Sequence, residues 1–230
     1  MPAILPDIPS TEAAIIEMTN GVRTREKLGA VAPDKALTAA ARAFAAYLAK
    51  TNTFSHTADG KQPSERAAAT GYRHCQIAEN LALSADSRGF EARTLAKETM
   101  EGWLNSPGHR ANLLAPYVTD IGVAVARVPD KEPKYVMVQL FGRPQSLATE
   151  FQISNANKMS VRYSLASEAH LIEPGMGIRH TICQPKTIAF EMAGGKPLLS
   201  HFDAKDGQVY TLTAKSGAVT VEVTARDRVK

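Results

Sequence analysis

No stretch of this chain approaches the run of about 20 apolar residues that a membrane-spanning helix needs. The opening residues, MPAILPDIPS, carry neither a basic region nor an apolar segment of signal-peptide length. On that reading the sequence is either a cytoplasmic protein or the mature form of an exported one. Cysteine is almost missing. Cys75 and Cys183 are the only two, which excludes a disulfide-stapled scaffold; two buried free thiols are the expectation, with a single bridge between domains as the alternative. Two catalytic signatures are absent as well. Without an H-E-x-x-H segment no single helix supplies a zinc protease site, and without G-x-S-x-G no serine nucleophile elbow is in view. A concentrated basic surface is also lacking. The formal net charge is +4, but Lys and Arg are scattered and never interleaved with aromatics, so nucleic acid is not an expected partner.

The composition that remains is that of a globular protein. With 44% hydrophobic and 22% charged residues over 230 positions, the chain can bury one large core or two modest ones. Helical spacing is clear at Ile15, Ile16, Met18 and Val22, with Ser10 or Thr11 as cap and Gly29 as stop. It returns after Pro33, where Leu37, Ala40, Ala41, Phe44, Tyr47 and Leu48 form one apolar face. The segment TNTFSHTADGKQP reads as a loop, Ser64 to Thr70 as a short helix, QIAENLAL as extended or irregular, and Phe90 to Leu104 as an amphipathic helix. Two strands, IGVAVARV and KYVMVQLFG, follow across a proline-containing turn. Helices around a small antiparallel sheet make an α+β domain.

After Pro144 the helical period disappears and two-residue alternation replaces it. Met159, Val161, Tyr163 and Leu165 form one set, the segment from Thr187 to Met192 a second, and Val219, Val221 and Val223 a third. Turn signals such as EPGMG, AGGKP and KDGQ separate them, which predicts six or seven short strands in a small β-sandwich, about the number such modules carry. The expected domains are 10–144 and 145–230.

The most unusual stretch is NSPGHRANLL, residues 105–114. Ser106 is a natural N-cap and Pro107 fits the first helical position, which places His109 in the first turn, where helix dipole and burial both favour a neutral ring. Two other segments share its position where helix meets loop: FSHTADG with His56, and AENLA with Glu79. In this order, with Trp103 just before the second histidine and IGVAVA after it, the three resemble the CAP superfamily, the sperm-coating-protein-like domains, and its bacterial secreted branch in particular. The resemblance covers about residues 10–144.

That resemblance implies an α-β-α sandwich followed here by the all-β module, and a cleft lined by His56, Glu79 and His109. It implies a divalent metal such as zinc, held by His56 and His109 and in some arrangements Glu79, and a secreted or periplasmic protein. The family's second acidic residue has no counterpart between Trp103 and His109; Glu98 and Glu101 are the nearest carboxylates, and Ala78 stands where glycine is usual. Two imidazoles and a carboxylate are a sound donor set for zinc with a position left to water. The alternative is a polar His/Glu cluster that orders the cleft without metal. The expected function is therefore a binding module for a metal, a small molecule, a lipid or a peptide-like ligand, with a protein or cell-envelope partner for the β-module. A metal-dependent hydrolase of peptide or cell-wall material and a purely structural protein are the competing readings. His74 next to Cys75 is too short a motif to specify metal or redox chemistry, and His170, His180 and His201 show no mutual spacing that a zinc site requires.

Overall fold

The computed structural model describes residues 3–191, 197–215 and 218–225. The chain divides into two compact units, Met1–Gln145 and Ser146–Lys230.

The first unit is α+β. Helix α1 (Ile8–Arg25) starts earlier than Ser10, because the Asp7 carboxylate accepts the Ser10 N–H at 2.9 Å and a carboxylate at this helix end also meets the positive dipole. Strand β1 is the short Ala32–Pro33, and Asp34 then caps α2 (Lys35–Thr51) by accepting the Leu37 N–H at 2.9 Å. Leu37, Ala40, Ala41, Phe44 and Leu48 are buried along α2. Tyr47 is not, since it sits at the stripe's margin, 38% exposed, where its hydroxyl donates to the Ala58 carbonyl. Next come α3 (Pro63–Ala69), β2 (His74–Ala85), α4 (Ala92–Asn105), α5 (Pro107–Leu113), β3 (Asp120–Val128) and β4 (Lys134–Pro144). The segment read as extended or irregular is thus the middle of a long strand. It showed no alternation because both of its faces are at least partly covered by other elements.

The sheet runs in the order β1-β3-β4-β2, with β3, β4 and β2 antiparallel and β1 parallel to β3. Alternation along β3 sends Ile121, Val123 and Val125 into one core with α1, α4 and α5, while Ala124 and Val128 enter a second core with α2. These two cores on opposite faces of one sheet make the α-β-α sandwich. Gly122 faces α2, and a Cβ there would run into the Leu37 backbone.

The second unit is all β. It comprises β5 (Thr149–Asn155), β6 (Val161–Leu165), β7 (Glu168–Ile172), β8 (Gly177–Ile182), β9 (Thr187–Glu191), β10 (Pro197–Asp203), β11 (Gln208–Lys215) and β12 (Ala218–Ala225). Two sheets, β10-β9-β6-β7 and β12-β11-β5-β8, share a core that includes Phe151, Ile153, Tyr163, Leu165, Phe190, Tyr210 and Leu212. The described strands number eight rather than six or seven. Edge strands β7 and β8 each have a single buried position, which leaves them little apolar signal in the sequence. Met159 lies ahead of β6 and is 55% exposed; Val223 is 38% exposed, Val219 lies outside the described side chains, and Met192 lies outside the described residues. Neither cysteine is a buried free thiol: Cys75 and Cys183 are both disulfide-bonded and only half-buried.

Gly122→Ala should destabilise the chain by about 1–3 kcal/mol, since neither the α2 backbone nor β3 can yield without unpacking a core. Chemical denaturation read by far-ultraviolet circular dichroism checks this, and an unchanged midpoint would show that α2 has room to move.

Candidate functional site

Glu79 is the charged centre of the first unit. Its side chain is 1% exposed, and a carboxylate so buried requires partners for both oxygens. Oε2 accepts from Nη2 of Arg66 at 2.7 Å, and Oε1 meets Nδ1 of His56 at 2.8 Å. Because the carboxylate offers only lone pairs, Nδ1 of His56 must carry the proton. Nε2 then faces elsewhere and has no partner among the described residues. His56 stays 51% exposed, so this nitrogen belongs to a ring that is open to ligands.

Arg66 is held as firmly as the residue it neutralises. It lies on α3, 6% exposed, and also donates to Asp59 at 2.9 Å and to the carbonyls of Lys61 and His56 at 2.8 and 3.0 Å. Its guanidinium sits 3.5 Å above the Phe44 ring, a cation–π contact with the α2 core. The bond to the His56 carbonyl closes the loop around that residue, so one arginine fixes both the carboxylate and the backbone of the histidine it orients. A cavity of about 590 Å³ lies beside this arrangement, lined by His56, Gln62, Ser64, His74, Ile77 and Glu79 among others.

His109 reaches the site by a different route. It lies in the first turn of α5, half-buried, with no hydrogen bond from its ring to the described residues. Burial first, and the nearby His56 second, hold its pKa below the ordinary imidazole value. Ser106 stands at the N-cap position but makes no side-chain cap; its carbonyl takes the Arg110 N–H at 2.8 Å. What anchors α5 is a ladder of amides. Asn80, beside Glu79 on β2, donates to the His109 carbonyl at 3.2 Å and to Gln139 on β4 at 3.0 Å. Asn112 on α5 donates to the Glu79 carbonyl at 3.0 Å and to Asn80 at 2.9 Å, and Gln139 passes the chain on to Thr19 of α1. At the other end of α5, the fully buried Arg23 donates to the carbonyls of Leu113 and Ala115, both at 2.9 Å. A cation there also meets the negative end of the helix.

The structure therefore bonds His56 to Glu79 and brings His109 within electrostatic reach of His56. It does not bring Glu98 or Glu101 in. Both lie on the exposed face of α4, opposite Leu95, Thr99 and Trp103, and Glu101 pairs instead with Lys97 at 3.7 Å. Among the described residues no group of three or more His, Cys, Asp and Glu side chains is clustered to hold a metal. Sequence reading missed Arg66, Asn80 and Asn112. The asparagines sat inside the two quoted motifs, where an amide on a segment packed between layers is itself a signal of buried pairing. Arg66 had a fainter one, a cation among alanines on a short helix.

Two measurements follow. Arg66→Met should destabilise the chain by about 3–5 kcal/mol, because it strands a buried carboxylate; a loss within error of zero in denaturant melts would show that Glu79 finds water instead. Imidazole NMR titration should place His109 below the ordinary value of 6.5, and His56→Phe should raise it. Since the folded pKa is the lower one, stability from this residue is intact above the unfolded value and is lost as pH falls through it toward the folded pKa. A His109 midpoint at or above 6.5 would refute the placement.

Comparison with known proteins agrees with this architecture. The model of the CAP family, described as the cysteine-rich secretory protein family, matches residues 16–141. An uncharacterized protein, YkwD, of Bacillus subtilis is 28% identical over 117 residues, 50% of this chain and 42% of that one, so the match spans less than half of the relative's length. An outer surface protein of Borrelia burgdorferi aligns over 58% of this chain and 92% of its own, with a TM-score of 0.51 and 22% identity. An extracellular protein containing an SCP domain, from Bacillus anthracis, aligns over 59% of this chain and 41% of its own, with a TM-score of 0.48 and 28% identity. The family match takes in His56, Glu79, His109 and every element that holds them, and the chain belongs to the CAP family.

Proposed function

We propose that this protein is an exported binding module that holds a divalent metal ion, zinc by the nature of its donors, between His56 and His109. The observation that carries the reading is the bond from Nδ1 of His56 to a carboxylate already neutralised by Arg66. It presents Nε2 as a fixed lone pair, the usual way in which a carboxylate orients a metal-binding histidine. His109 adds a second imidazole kept neutral by burial and by its neighbour, and a neutral ring is the form that ligates. The protein supplies two nitrogens of the kind zinc takes, fewer than the three or four protein ligands of a usual zinc site, so the rest of the shell falls to water or to donor groups of the ligand. Glu79 supports the ion without touching it, since both of its oxygens are engaged.

When bound, such an ion supplies a Lewis acid to which a donor group of a small molecule, a lipid or a peptide-like ligand can attach. The hydrolase reading would need a general base beside it. Glu79 is poorly suited, being 1% exposed and tied on both oxygens. Export is supported by the disulfide-bonded cysteines, because such bonds persist in oxidising compartments.

Added zinc should raise the melting temperature of the full chain, since it binds the folded site far better than the unfolded chain. The rise should fade below about pH 6, where protons compete for the imidazoles, and should vanish in the double variant His56→Ala, His109→Ala. An equal rise in the double variant would overturn the assignment.

A further inference from the structure

The second unit contains a pair of histidines whose sequence spacing gave no hint of contact. His170 lies on β7 and His180 on β8, each the edge strand of its own sheet. Their rings meet edge to face with centroids 5.3 Å apart. Each ring also stacks on a core aromatic: His170 on Tyr163 at 5.0 Å and His180 on Phe151 at 5.2 Å. The register explains it. Tyr163 is the cross-strand partner of His170, Phe151 that of His180, and the two pairs face each other across the sandwich.

The polar atoms of this pair are unevenly served. Nε2 of His180 lies 2.7 Å from the Tyr163 hydroxyl, while Nε2 of His170 is buried with no partner among the described residues. Other charges near the seam cancel. Glu168 on β7 would favour an imidazolium and Lys186, beyond β8, would oppose it, and these two pair with each other at 3.1 Å. Arg162 on β6 and Arg179 on β8 alternate to the exposed faces. Phe151, from β5, is uncharged, and Tyr163, from β6, keeps its proton, since burial pushes the phenol up to about 12.

We propose that the seam between β7 and β8 is an acid-sensitive latch, closed while His170 and His180 are neutral and loosened when both take up protons. In the imidazolium form Nε2 of His180 can only donate, so the Tyr163 hydroxyl is restricted to accepting from it. A proton on Nε2 of His170 creates a buried cationic N–H with no acceptor, which is costly unless water reaches it. With both rings charged, like charges stand 5.3 Å apart between centroids in a partly dry seam. Opening β7 and β8 relieves all three, and each edge strand gives up only one ladder in doing so. Burial, His170 and Lys186 already depress the His180 pKa, consistent with a neutral resting form.

Hydrogen exchange of the full chain at pH 7.5 and pH 5, corrected for the intrinsic rate, tests this. Amides of β7 and β8 should lose at least about tenfold more protection at the lower pH than those of β9 and β11, whose ladders a local opening of the edge strands leaves closed. His170→Phe keeps a ring against Tyr163 and removes one titrating group, so the extra loss should largely disappear. His170→Gln, which keeps a polar neutral side chain, should behave in the same way if the phenylalanine variant does not fold. The proposal is overturned if the wild-type edge strands show no extra loss, or if both folded variants retain it.

Discussion

The candidate site depends on one buried charge. Glu79 stands on a strand between two helical layers, and a carboxylate at that depth is tolerable only because Arg66 neutralises one oxygen and His56 occupies the other. Every later feature of the site follows from that arrangement. Arg66 must be drawn inward over Phe44, the loop carrying His56 must fold back so that its carbonyl meets the same guanidinium, and the imidazole is left with one nitrogen bound and the other outward.

The second constraint is the placement of α5. A helix of seven residues has little intrinsic stability, so its position is set from outside by the amide ladder at His109 and Asn112 and by Arg23 at its end. Asn80 and Glu79 are neighbours on β2, and Asn112 returns from α5 to the Glu79 carbonyl. The two histidines are therefore referred to the same two strand residues, although they are far apart in the chain. The sheet acts as the common gauge between them.

Much of this was legible in the sequence. The α+β class followed from the helical stripes of α2 and α4 and from the strands β3 and β4; the three-layer sandwich and the three candidate residues, in FSH, AEN and SPGHRANLL, came through the resemblance to the CAP family. What was not legible has physical causes. Strand β2 hid because burial on both faces erases alternation, and α1 took Asp7 rather than Ser10 as its cap because the carboxylate accepts the Ser10 N–H. Arg66 and Arg23 were invisible because a cation's burial depends on partners that only the fold brings near. In the second unit His170 and His180 are ten positions apart on edge strands with one buried position each, and only the packing of two separate sheets joins them.

The fate of the two ring nitrogens of His56 tests the central claim most directly. Long-range proton–nitrogen correlation spectra of the full chain at pH 8 distinguish a protonated ring nitrogen from a bare one. The account predicts a proton on Nδ1, held against Glu79, and a bare Nε2 whose resonance moves when zinc is added. A proton found on Nε2, or an Nε2 resonance indifferent to zinc while zinc binds elsewhere on the chain, would contradict it.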